Sequence, residues 1–294
     1  MFIPYNQFLT TMLSSESAKE PLALQICNDN TENLQVTQQY ISKTKRFSII
    51  IPAYNEEKRI EPSLREVCDY IESNSLPWYI VVSIDGNDGT ENIVRNMEGE
   101  YPFLNHLKGN GRNGKGGAIK RALDIAAGDY IILMDADGAI SFNEITKHLD
   151  LLNKYDFINF DRYRYKQNKI PRLRRFVSRG YNLFIRMLLS LNINDTQFGY
   201  KIMKTNDAKK IFKKLTITNG FFYSPFFFYL KKMKIRTVEV PVEYKHSDGS
   251  KFGVASMILG GFISALAFRL RESPFWKYVP RDIVFLYYKK FRWL

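Results

Sequence analysis

Three short apolar runs, FSIIIP at 47–52, WYIVVSI at 78–84 and YIILM at 130–134, each stop abruptly at a turn or a polar residue. Runs this short, rich in β-branched and aromatic residues, predict strands buried on both faces. Helical spacing lies between them. Ile60, Leu64, Val67 and Ile71 share one face of a helix, and a second helix starts near Thr90. GNGRNGKGGAIKRALDIAAGD is a Gly-rich loop entering a helix that stops at Gly128. SFNEITKHLDLLNKY predicts another helix, and Phe157–Phe160 a fourth strand. Strands alternating with helices specify an α/β chain with a Rossmann-like, mostly parallel sheet and helices on both faces. Ligands of such sheets bind beyond the carboxyl ends of the strands. Pro52, Asp85 and Asp135 all stand there.

The third run carries the sharpest chemical signal. It ends in Asp135 and Asp137, one residue apart, followed by Gly138. Two carboxylates this close repel each other and lose solvation unless something holds them. A hard divalent cation, Mg²⁺ or Mn²⁺, takes oxygen ligands and bridges to substrate phosphates. The competing reading is a charged turn after a strand, because Asp is common in turns.

The chain of 294 residues carries a net charge of +13, and its basic residues concentrate after residue 160, interleaved with Tyr, Phe and Trp. Such a surface suits phosphates. Cys27 and Cys68 form no motif, and three histidines leave little for His-based metal or triad chemistry. Residues 1–45 are polar and without clear periodicity, and read as a weakly ordered or peripheral extension.

In order, IIIPAYNEE, DGNDGT, GKGGAI and DADGA resemble an inverting family 2 glycosyltransferase with the GT-A fold. DADGAISF, INDTQFGYKIM and VEVPVEYKHSDGSKF are similar to the dolichyl-phosphate glucose synthase branch, with dolichyl-phosphate mannose synthases as near cousins. The resemblance spans about residues 46–272 and implies a glycosyltransferase domain over 46–250; the composition of 251–294 is read as membrane-interface helices. It implies that Asp135 and Asp137 bind the metal on a nucleotide-sugar diphosphate. Pro52, Tyr54 and Glu56 would line the nucleoside pocket, Asp85 would hydrogen-bond the base, and Lys115 would sit near the nucleotide. Lys251, in HSDGSKFG, would close over the leaving group. UDP-glucose is the favoured donor and GDP-mannose the alternative. The DGNDGT segment is one residue shorter than the relatives' version, which bears on the base contact.

FDRYRYKQNKIPRLRRFVSRGYNLFIRMLLSLNIND, read alone, is either a solvated amphipathic helix or one lying at a membrane interface with arginines on a lipid phosphate. The resemblance matches Arg162, Arg174, Ser178 and Arg179 to the polyprenyl-phosphate site. Relatives place an Asp-x-Glu pair where this chain has Tyr223, Ser224 and Pro225. A hydroxyl acceptor needs a general base. A phosphate monoester, with its second pKa near 6, is already largely dianionic at neutral pH. The missing pair means either an impaired enzyme or an acceptor that needs no base, and it favours a phosphate acceptor. Asp195 remains a candidate for orientation, or serves only as a turn residue.

Residues 252–268 are uncharged, at the lower limit for a spanning helix, and the segment after them mixes aromatic with basic residues. A peripheral or shallowly inserted protein on the cytoplasmic face of a membrane is expected, and no nucleic-acid partner. The functional expectation is transfer of a hexose to dolichyl or polyprenyl phosphate. The alternatives are a glycosyltransferase acting on a sugar or lipid hydroxyl, and a non-catalytic lipid-binding homologue.

Overall fold

The computed structural model describes residues 45–165, 168, 172–216, 218–245 and 254–280, with the backbone alone for 172–174 and 254–259. Lys251, the Arg174 side chain, residues 1–44 and residues 281–294 lie outside the described residues.

Among the described residues, seven strands form one sheet: β1 (Phe47–Tyr54), β2 (Tyr79–Asp85), β3 (Leu104–Lys108), β4 (Tyr130–Leu133), β5 (Phe157–Asp161), β6 (Lys201–Lys204) and β7 (Thr237–Pro241). Their order is β3-β2-β1-β4-β6-β5-β7. Only β6 runs antiparallel, against both β4 and β5. The helices are α1 (Ile60–Ser73), α2 (Thr90–Glu100), α3 (Gly114–Ile125), α4 (Phe142–Thr146), α5 (Arg172–Leu189), α6 (Thr205–Lys214), α7 (Tyr223–Lys232) and α8 (Val254–Arg271).

Strand alternation divides the apolar residues between two cores. Ile49, Ile51, Ile80, Val82 and Ile132 face α1 and α2 on one side. Ile50, Val81, Ile131 and Leu133 face α3 and α5 to α8 on the other. Both faces are covered, which is why these strands read as unbroken apolar runs. Each fully buried Ile side chain contributes about 1.5–3 kcal/mol.

The structure differs from the sequence expectations in four places. β3 is an edge strand in which only Leu104 is buried, so it lacks the apolar run of a central strand. β6 is four residues, KIMK, and its first lysine is buried. The helix expected over SFNEITKHLDLLNKY breaks into α4 and a 3₁₀ turn at Leu149–Asn153. There the buried residues Thr146, Leu149 and Leu152 recur every third position, the 3₁₀ spacing. α3 ends at Ile125, and Gly128 follows where the chain presses on β1. A Cβ on Gly128 would lie 2.6 Å from the Ser48 amide nitrogen, so only glycine fits.

Candidate active site

β1, β2 and β4 end side by side: Tyr54 pairs with Asp85 across β1 and β2, and the Met134 amide donates to the Ile50 carbonyl. The loops after β1 and β2 are strapped together. Asn87 N–H donates to Asn55 Oδ1 at 3.1 Å, Glu57 N–H to Asp88 Oδ2 at 3.1 Å, and Gly89 N–H to Glu57 Oε2 at 2.8 Å. Asp88 Oδ1 also accepts from the Thr90 amide and hydroxyl, satisfying donors at the start of α2. The shortened DGNDGT segment is thus a closed capping loop.

Of the expected nucleoside residues, Pro52, Tyr54 and Glu56 are all half-buried on this rim. The Arg112 guanidinium lies 4.7 Å from the Tyr54 ring centre. Glu56 holds Arg59 at 2.6 Å, and Arg59 reaches Asp137 at 4.0 Å, linking the nucleoside rim to the aspartate pair. Asp85, expected on the base, stands at the end of β2. Its side chain is buried, one oxygen accepts from Arg121 at 2.9 Å, and the other from the Asn113 amide at 2.8 Å. In this structure Asp85 anchors the Gly-rich loop at the start of α3.

Asp135 and Asp137 follow β4 and keep 27% and 24% of their side-chain surface exposed. Asp137 Oδ1 also accepts from the Ala139 amide at 3.2 Å. Lys115, expected beside the nucleotide, makes a short ion pair with Asp135. Burial opposes the lysine's charge, but Asp135 outweighs it and holds the pKa above the ordinary lysine range. Gly199 backs the Asp135 carboxylate so closely that any Cβ there would overlap it. No cluster of three metal-ligating residues exists among the described residues. Two partly exposed carboxylates on a glycine-backed turn still fit a hard divalent cation whose other ligands come from a diphosphate and water.

Behind the aspartates runs a buried polar chain that crosses the sheet. Lys201 Nζ donates to Asn159 Oδ1 at 3.0 Å, and Asn159 Nδ2 donates to Glu239 Oε1 at 3.1 Å. Glu239 accepts from the backbone amides of Asn194 and Asp195. Asp195, fully buried, meets Arg162 at 2.9 Å and accepts from the Gln197 amide at 3.2 Å. Asp195 and Arg162 therefore come together, and Asp195 serves both as ion partner and as turn residue. Burial lowers the Lys201 pKa to about 7, partly offset by Asp195 and Asp135. Tyr163 packs 5.1 Å from Arg162 and is hydrogen-bonded to Ser178. Arg179, one residue on along α5, is exposed.

α7 begins at Tyr223, where this chain lacks the Asp-x-Glu pair. Tyr223, Ser224 and Pro225 are all buried. Pro225 sits in the first turn, where backbone N–H groups have no intrahelical acceptor and proline is tolerated. Tyr223 lies 4.4 Å from the Lys201 ammonium and 5.5 Å from that of Lys115, measured to the ring centre.

α5 and α8 pack through Tyr181, Phe184 and Phe262. Their outer faces expose Phe176, Leu183, Met187, Leu266 and Leu270, and the following turn exposes Phe275 and Tyr278. No described helix is long and apolar enough to cross a membrane.

The family model "Glycosyl transferase family 2" matches residues 48–212. The chain is 31% identical over 225 residues to the dolichyl-phosphate beta-glucosyltransferase ALG5A of Trichomonas vaginalis, covering 72% of this chain and 69% of that protein. It is 29% identical over 222 residues to the dolichyl-phosphate beta-glucosyltransferase of Dictyostelium discoideum, covering 70% and 68%. Among solved structures, it is similar to glucosyl-3-phosphoglycerate synthase from Mycobacterium tuberculosis in complex with Mn²⁺, UDP and glucosyl-3-phosphoglycerate. That match has a TM-score of 0.58 and 16% identity, and covers 86% of each chain. Mannosyl-3-phosphoglycerate synthase from Rubrobacter xylanophilus gives a TM-score of 0.58 at 15% identity, covering 82% and 78%. At such identities the likeness is one of fold. The strand-end aspartates, the sheet order and these matches agree: the chain is a glycosyltransferase and belongs to family 2, with the GT-A fold.

Proposed function

We propose that this enzyme transfers glucose from UDP-glucose, with inversion, to dolichyl or another polyprenyl phosphate. The observation that carries the reading is the state of the carboxylates around the site. Asp195 is buried against Arg162, and the start of α7 offers Tyr, Ser and Pro in place of an acidic pair. Asp135 and Asp137 suit a cation. An acceptor that arrives ionised, as a phosphate monoester does, needs no base.

Asp135 and Asp137 would hold Mg²⁺ or Mn²⁺, which neutralises charge on the departing diphosphate. Lys115, already beside Asp135, adds a second positive charge there. Pro52, Tyr54 and Glu56 form the rim for the nucleoside, and Arg112 over Tyr54 narrows it. Ser178, which reaches the Arg162–Asp195 pair through Tyr163, and the exposed Arg179 beside it in sequence are offered to the lipid phosphate. The named relatives support the choice of glucose and dolichyl phosphate.

The same reading sets the enzyme face-down on the cytoplasmic side of a membrane. It is supported by the exposed Phe176, Leu183 and Met187 of α5, which recur on one helical face next to arginines. A panel of UDP- and GDP-sugars, each assayed with and without dolichyl phosphate, tests the proposal. UDP-glucose consumption that requires the lipid phosphate is expected. Consumption independent of it, or of GDP-mannose alone, contradicts the acceptor or the donor respectively.

A further inference from the structure

Tyr223 is 2% exposed, and its hydroxyl has no hydrogen-bond partner of good geometry among the described residues. Leaving a hydroxyl buried without an acceptor costs about 1–3 kcal/mol. A buried polar group without a partner calls for an explanation, and a ligand that the free protein lacks is one.

The surroundings say what that something is. The ring is held in place: Lys201 lies 4.4 Å from its centre, Phe222 4.0 Å, and Phe226 packs edge-on at 6.5 Å. Lys201 is itself fixed by Asn159 and the Phe198 carbonyl. The Lys115 ammonium approaches the phenol oxygen, but an ammonium only donates, so the phenol proton is left over. Burial pushes the Tyr223 pKa up to about 12, so the group stays protonated at neutral pH. Two donors, one cationic and one neutral, therefore converge beside Asp135 with no acceptor for the phenol. That arrangement complements an anionic oxygen.

We infer that Tyr223 contacts substrate: together with Lys115 it donates to a non-bridging phosphate oxygen in the reacting complex, at the position where a carboxylate would repel that oxygen. The inference rests on the phosphate-acceptor reading above. It also gives a chemical sense to the missing acidic pair. A site that receives an ionised nucleophile gains from a neutral donor where a hydroxyl-accepting site gains from a base. The oxygen belongs either to the lipid phosphate or to the sugar diphosphate.

Tyr223→Phe in the full chain tests this, because it removes only the hydroxyl. Three quantities are measured: the thermal midpoint, steady-state transfer from UDP-glucose to dolichyl phosphate, and the dissociation constant of UDP with Mn²⁺. A hydrogen bond to a charged group makes a loss of about 10- to 100-fold in kcat/KM the expected result, with the thermal midpoint unchanged or raised. A higher KM for dolichyl phosphate with unchanged UDP affinity assigns the oxygen to the acceptor. Weaker UDP binding assigns it to the diphosphate. Transfer and UDP affinity both within twofold of the wild type overturn the inference. So does a lowered thermal midpoint accompanying the loss, since the hydroxyl would then have a protein partner. If the wild type transfers nothing to dolichyl phosphate, the acceptor reading fails by itself, and the UDP arm alone decides Tyr223.

Discussion

Gly199→Ala isolates the aspartate pair from the rest of the fold. A Cβ on Gly199 would overlap both carboxylate oxygens of Asp135, and its carboxyl carbon as well. Restoring van der Waals contact requires the carboxylate to move by about 1 Å, a displacement that costs about 100-fold in a positioned catalytic site. The fold should be spared. Gly199 has no left-handed φ, so alanine is compatible with its backbone, and a compatible Gly→Ala change stabilises by about 0.4–1 kcal/mol through the unfolded chain. Asp135 is 27% exposed and can swing outward to relieve the overlap. The expected result is a loss of about 100-fold in kcat/KM, near 2.7 kcal/mol, with the metal-dependent part of UDP affinity lost and the thermal midpoint nearly unchanged. Gly99→Ala is the control, since an added Cβ there meets nothing within 4 Å. Steady-state turnover and UDP titrations with and without Mn²⁺ read the outcome. A Gly199→Ala enzyme within threefold of wild type, with its metal dependence intact, refutes the role given to Asp135.

Asp137→Asn removes one anionic oxygen from the same pair and should abolish metal-dependent turnover while leaving the urea midpoint within experimental scatter; normal turnover with Mg²⁺ or Mn²⁺ counts against the metal site. Arg162→Ala leaves the fully buried Asp195 without its ion partner and should destabilise by about 3–5 kcal/mol in urea unfolding; a change under about 1 kcal/mol shows that the pair is not structural. Asp161 is fully buried, and burial, with Asp195 and Glu239 adding to it, raises its pKa to about 6. A raised folded-state pKa stabilises below the unfolded value near 4, and that contribution is lost as pH rises through 6. Asp161→Asn should therefore gain about 2 kcal/mol relative to wild type between pH 4 and pH 7; an equal difference at both pH values contradicts the assignment.

The sheet's centre was legible because β1, β2 and β4 are buried on both faces, so their apolar runs are unbroken. β3 was not, since an edge strand with one buried residue carries no pattern. β6 was hidden by Lys201, a lysine that enters the interior only because Asn159 and the Phe198 carbonyl accept its protons. At the site, Asp135 and Asp137 stood out because adjacent carboxylates after a buried strand are costly. Arg59, Arg121, Asn159 and Glu239 gave no such signal. Each acts through a partner distant in sequence, as Arg121 does on Asp85 and Glu239 on the Asn194 amide. Glu239 stands as a lone acid in the VEVPV strand, the one local hint that something polar crosses the sheet there. Asp85 stands at a strand end as expected, but nothing local in the sequence announced that Arg121 and the Asn113 amide would donate to its oxygens.

On the phosphate-acceptor reading, no general base among the described residues serves the acceptor, which arrives already ionised. The most direct measurement offers the enzyme UDP-glucose with dolichyl phosphate and, separately, with dolichol, which has the same chain and only a hydroxyl at its end. Both products are quantified across a pH series. Glucosyl transfer to dolichyl phosphate alone is expected, with a rate that rises through an apparent pKa near 6, set by the phosphate, and then levels off. Comparable transfer to dolichol, or a further rise in rate well above neutral pH, would contradict it.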